Sequence, residues 1–153
     1  MKTLPRLNWW ICVALLVLIS GVTSCKKEDP EPPLADQIAG EYTGTSYTIG
    51  TTTTINLPAT NAAGQTATAK ISVKKITDEQ ATFTVTATVT DKAGKVTNGV
   101  STLEALTLKK SVELGVEGYQ GTTKLVTLVN GVLSVRLVDP DPQKTIVFYG
   151  KKD

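Results

Sequence analysis

Residues 81–90 (ATFTVTATVT) alternate without a break: Ala81, Phe83, Val85, Ala87 and Val89 take every second place, with threonine between. Strand side chains point to opposite faces with a period of two, so this segment has one apolar and one wet face only if it is extended. On a helix the same residues would be scattered around the circumference. An antiparallel strand with a single covered face is the reading, and it commits its neighbours to the same architecture.

Those neighbours follow the same rule. Segments 40–49 and 51–57 read as strands meeting near Gly50, and 58–65 reads as a loop. Segment 66–76 resumes with Ile71 and Val73 in phase, Lys74-Lys75 marking a bulge before Ile76. The chain turns at 77–80 and at 91–95 (DKAGK). Segment 96–108 changes apolar phase between Leu103 and Leu106, so it is one bent strand or two. Segment 111–119 places Val112, Leu114 and Val116 inward, with Glu113 and Glu117 outward. After a turn at Gln120-Gly121, 122–129 runs into Asn130-Gly131, two residues that accept the positive φ of a type I′ hairpin. Residues 132–138 alternate again, 139–143 (DPDPQ) form a loop, and 145–150 close the domain. Short strands with tight links leave no room for a crossover helix. The expectation is an all-β fold, an antiparallel meander closing into a small barrel of about eight strands, with a β-sandwich as the alternative.

The N-terminal part is built differently. Residues 9–19 (WWICVALLVLI) are apolar, preceded by Lys2 and Arg6 and followed by Ser20, Gly21, Thr23, Ser24 and Cys25. A positive n-region, an apolar h-region and small residues at a cleavage site are the layout of a secretory signal peptide. A membrane span needs about 20 apolar residues, roughly twice this run. Plain secretion would leave Cys25 an unpaired thiol in an oxidising compartment, since Cys12 lies in the discarded leader. Val22-Thr23-Ser24-Cys25 resembles a bacterial lipobox, which implies cleavage before Cys25 and its acylation. Each buried methylene contributes about 0.8 kcal/mol, so two or three chains anchor a protein stably. The expected organisation is a lipoprotein signal peptide at 1–24, a lipidated Cys25 with a charged, Pro-rich tether to residue 37, and a β-domain at 38–153. Within the tether 26–33 (KKEDPEPP) favours extended backbone, and 34–38 can form one helical turn.

Beyond residue 24 the chain holds 14 basic and 14 acidic side chains, and Arg136 is its only arginine. A nucleic-acid partner calls for a basic stripe, which is missing. The sequence contains no histidine, so Ser-His-Asp and Cys-His catalysis are excluded, and soft-metal or haem ligation has few donors left. No cofactor is expected. Threonine is abundant, 23 residues beyond the leader, in keeping with β structure.

Ser24-Cys25-Lys26-Lys27-Glu28-Asp29, the Pro-rich spacer and Ile38-Ala39-Gly40-Glu41-Tyr42-Thr43-Gly44 at the head of a Thr-rich meander together resemble the lipocalin-like (calycin-like) lipoproteins of Bacteroidota-type bacteria. The resemblance implies a barrel held at the outer membrane by lipid. It reads Glu28 and Asp29 as a surface-export signal, with the preceding lysines leaving inner-leaflet residence open. It also implies that Gly40-Glu41-Tyr42 stands where lipocalins have Gly-x-Trp, with Arg136 as the basic residue that would cover the aromatic.

The candidate site residues are few. Tyr42, Tyr47, Tyr119 and Tyr149, gathered at one barrel mouth, would form a stacking surface for a small apolar ligand or a glycan. Packing in the core is the other reading for these tyrosines. Asp139 and Asp141 have calcium-type oxygens but sit in a Pro-rich turn sequence, and Asp78-Glu79 reads as a turn tip. Carboxylates in turns and on wet faces do not form a glycosidase pair. The function expected is non-catalytic: small-ligand or glycan binding at the envelope, or a structural or protein-interaction module of the outer-membrane surface, with the oligomeric state left open.

Overall fold

The computed structural model of the chain describes residues 30–50, 53–112 and 115–153. Residues 1–29, which include the expected leader, Cys25 and the start of the expected tether, lie outside the described residues, as do Thr51, Thr52, Glu113 and Leu114. A five-residue helix, α1 (Leu34–Ile38), precedes ten strands. These are β1 (Gly40–Ile49), β2 (Thr53–Asn56), β3 (Ala59–Thr60), β4 (Thr66–Thr77), β5 (Gln80–Thr90), β6 (Val96–Lys110), β7 (Val116–Gln120), β8 (Thr123–Val129), β9 (Val132–Leu137) and β10 (Ile146–Lys152).

From β4 to β10 each strand pairs antiparallel with the next, and β10 returns to β1. The first half of β1 then pairs with β4, Tyr42 opposite Ile71, and the ring of eight strands closes. The chain forms the barrel, not the sandwich. Beyond Gly44 the second half of β1 leaves β4 and pairs with β2 instead. Gly44 makes this departure feasible: a Cβ there would lie 2.7 Å from the Ala69 Cβ and 2.8 Å from its carbonyl oxygen.

α1 lies at the end where β1 begins, here called the floor. It makes few hydrogen bonds of its own, and a helix this short has little intrinsic stability. Burial holds it: Ala35 and Ile38 are fully enclosed, and the Tyr42 hydroxyl donates to the Ile38 carbonyl at 2.7 Å. The Ala35 N–H donates to the Asp78 carbonyl in the β4–β5 turn. Lys75 pairs with both Asp36 and Asp78 across the same corner, contacts exposed enough to add little.

The turns follow their sequences. Asn130 (φ 51°) and Gly131 (φ 74°) form the expected hairpin, with Val129 opposite Val132. Asp91 accepts from the Ala93 and Lys95 N–H groups through one carboxylate oxygen, and Asn61 binds the Ala63 and Gln65 N–H groups in the same manner. A bulge is present one step later than expected: Lys74 and Lys75 pair regularly with Thr82 and Ala81, and Ile76 is the extra residue before Thr77. Segment 96–108 belongs to one bent strand. Glu104 and Ala105 (φ 51°) stand between the Leu103–Phe83 and Leu106–Ala81 pairs, so both leucines face inward.

One expectation is corrected. Val112 was placed on an inward strand face, but it is fully exposed and β7 begins only at Val116. The Ser111 N–H donates to the Gly115 carbonyl at 2.8 Å, in register with the Lys110–Val116 pair, so the β6–β7 ladder ends there and Val112 lies past its last rung. Gly115 tucks against β8: a Cβ on it would fall 2.0 Å from the Leu128 carbonyl oxygen.

Candidate functional site

The floor half of the barrel is solid. Tyr42, Ile71, Phe83, Leu106 and Leu133 are at most 1% exposed and fill the interior. Toward the opposite end, the mouth, inward positions become small: Ala87 on β5 and Ala67 on β4. Small side chains around a ring of fixed circumference leave space. The result is a cavity of about 280 Å³ bounded by Tyr47, Ile49, Leu57, Ala67, Thr68, Ala87, Thr88, Val89, Ile146 and Phe148.

Local structure explains each wall. Tyr47 faces Phe148 across the β1–β10 ladder, ring centroids 5.7 Å apart and planes tilted by 32°. Leu57 is brought over by β2 folding back on β1, its N–H donating to the Thr45 carbonyl at 2.8 Å. Thr68 and Thr88 are cross-strand partners beside the opening. The lining holds no carboxylate, amine or guanidinium. Tyr47 and two threonines supply its side-chain polar groups, and the rest of the lining is apolar.

The four tyrosines are not brought together. Tyr47 lines the cavity. Tyr42 is buried in the floor, where desolvation raises its pKa above the ordinary phenol value. Tyr119 lies on the outer face, donating to Glu117 at 2.5 Å with the Lys109 ammonium 4.9 Å from its ring centre. Tyr149 is outside as well, between the inward Phe148 and Gly150, on a shallow surface concavity shared with Lys124 and Arg136. A bulge after Gly44 shifts the phase of β1, so Tyr42 and Tyr47, five residues apart, both face inward, which strict alternation does not give.

The family-based placement of Arg136 is also corrected. Arg136 sits opposite Val147, which faces Thr48 toward the mouth end of β1, so it lies far along the barrel from Tyr42. The Tyr42 hydroxyl is engaged by the Ile38 carbonyl.

Glu117 has the densest polar surroundings. Tyr119 first, then the Lys124 ammonium at 3.0 Å, hold its pKa below the usual carboxylate range, and the hydrogen bond it accepts in turn raises that of Tyr119. The network lies on the outside of β7 and β8, away from the mouth cavity. In the DPDPQ loop Asp139 accepts from the Asp141 N–H and Asp141 from the Gln143 N–H, so both carboxylates brace the turn. Among the described residues, no three Asp, Glu, His or Cys side chains group as a metal site requires. No described helix is long and apolar enough to cross a membrane.

No family model and no curated protein matches the chain. Among solved structures, a de novo designed fluorescence-activating β-barrel is similar at 10% identity and a TM-score of 0.36, over 79% of this chain and 98% of that one. A likeness that distant carries no argument about a ligand, and the barrel described above rests on its own strand pairing.

Proposed function

We propose that the protein is an envelope lipoprotein, anchored through Cys25, whose barrel mouth takes up a small apolar ligand. The observation that carries the binding half is the cavity between Tyr47, Leu57, Ala87 and Phe148: roughly 280 Å³ of space with an apolar lining above a solid floor. An apolar cavity of about 150 Å³ already admits benzene, and ordinary ligand pockets begin near 300 Å³. This volume matches a single ring or a short alkyl chain. A glycan fits less well, because a sugar brings hydroxyls that need partners and the lining offers few. The anchoring half rests on the leader and on Cys25 at its end.

Calorimetric titration with cyclohexanol, in the wild type and in Ala87→Phe, tests the binding half. One saturable site in the wild type, lost in the variant while its circular dichroism is unchanged, is the expected result. Equal heats in both chains, or saturable binding of glucose in place of cyclohexanol, contradict the reading. For the anchor, radiolabelled fatty acid is expected to enter the wild type and not Cys25→Ala; equal incorporation refutes it.

A further inference from the structure

We propose that the outer wall of the barrel carries a second binding site, for a sugar acid, at the concavity of about 220 Å³ where β8, β9 and β10 lie side by side. Register builds it. Thr127, Ser134 and Tyr149 are cross-strand partners in one outward row, and Arg136 is the next outward residue of β9, opposite Val147. Neighbouring strands lie about 4.8 Å apart, so three of them make a row roughly 10 Å wide, room for one pyranose ring and its exocyclic group. Leu125, the extra residue of the β8 bulge, and Val147 supply an apolar patch for the C–H bonds of such a ring.

The polar groups that meet here have no other engagement. Among the described residues Arg136 makes no ion pair or hydrogen bond, and the Tyr149 and Thr127 hydroxyls have no partner. Hydroxyl side chains both donate and accept, which is what the hydroxyls of a sugar require. The charges around the concavity select the acid. Its lining holds two cations and no carboxylate. Lys124 is already balanced, its ammonium 3.0 Å from Glu117. Asp139, which borders Arg136 from the loop side, accepts from the Asp141 N–H within its own turn. That leaves the Arg136 guanidinium as the one cation of the concavity without a counter-charge. Its planar fork matches a carboxylate through two parallel hydrogen bonds. A phosphate monoester, with close to two charges at neutral pH, would call for a second cation. A uronate brings a single negative charge on a hydroxylated ring.

Amide-resolved NMR of the full chain in detergent, titrated with glucuronate, glucose and glucose 6-phosphate, tests the assignment. Glucuronate should give saturable shifts at Thr127, Ser134, Arg136 and Tyr149, with Ile49 and Ala87 of the mouth unmoved. Glucose lacks the carboxylate and should need a concentration at least about tenfold higher, the share of one charge-assisted contact. Arg136→Gln, with unchanged circular dichroism, should weaken glucuronate by the same factor and leave glucose as it is. Arg136→Lys should restore little, because an ammonium has no fork. Lys70→Gln removes one positive charge from the outer face of β4 and should titrate as the wild type. Glucuronate shifts that never saturate, that persist in Arg136→Gln or that weaken equally in Lys70→Gln overturn the site. Glucose 6-phosphate binding as tightly as glucuronate, or glucuronate shifting the mouth residues, overturns the choice of ligand.

Discussion

Tyr42 does two jobs at one position. Its ring fills the barrel floor, and its hydroxyl ties down the last turn of α1 through the Ile38 carbonyl. Tyr42→Phe keeps the ring and leaves a buried carbonyl short of a partner, which should cost about 1–2 kcal/mol in urea unfolding. A change below the measurement error would mean that the bond does not hold the plug. Glu117 gives a pH signature. Tyr119 and Lys124 lower its pKa in the folded state, so its contribution is complete above the ordinary carboxylate pKa and is lost as pH falls through the folded value. Melting temperatures followed into acid should therefore fall less steeply for Glu117→Gln than for the wild type. Parallel acid limbs would dismiss the network as a source of stability.

At the scale of elements, two glycines show why one substitution has two meanings. Gly94 ends the β5–β6 turn at φ 83° with open space around it, so Gly94→Ala pays only for backbone conformation, about 1–2 kcal/mol. Gly115 meets the Leu128 carbonyl, a backbone atom that cannot step aside, and Gly115→Ala should cost more, about 3 kcal/mol. Thermal unfolding of the two variants ranks them; the reverse order would contradict the packing of Gly115 against β8. This loop also marks where periodicity stops informing. Strict alternation over 81–90 specified β5 completely, because ten consecutive residues admit no second period. Val112 to Val116 is too short a run for that test, and the hairpin rung from Ser111 to Gly115 that ends the ladder leaves no trace in a hydropathy pattern. The β6 phase change was visible in the sequence, but only the positive φ of Ala105 shows that one strand absorbs it.

For the whole molecule, the barrel was readable and its hollow was not. Alternating strands, hairpin-length links and the absence of a crossover helix lead to closure, and the ring from β4 through β10 to β1 follows. The cavity depends on which inward positions of different strands share a level, and register supplies that information. Ala67 and Ala87 are unremarkable in sequence and become part of a site only when pairing brings them together at the mouth. Of the four tyrosines, Tyr47 alone lies there. Phe148 and Ile146, on the last strand, supply much of the remaining wall, and no motif distinguishes them from core residues. The proposed role follows from this division of the interior into a packed floor and an unfilled mouth. The most direct test is methyl-resolved NMR during titration with 1-hexanol. Saturable shifts confined to Ile49, Leu57, Ala87 and Ile146, with Leu106, Val116 and Leu133 unmoved, are the predicted result. Shifts that never saturate, or that spread evenly through the floor, would contradict a binding site at the mouth.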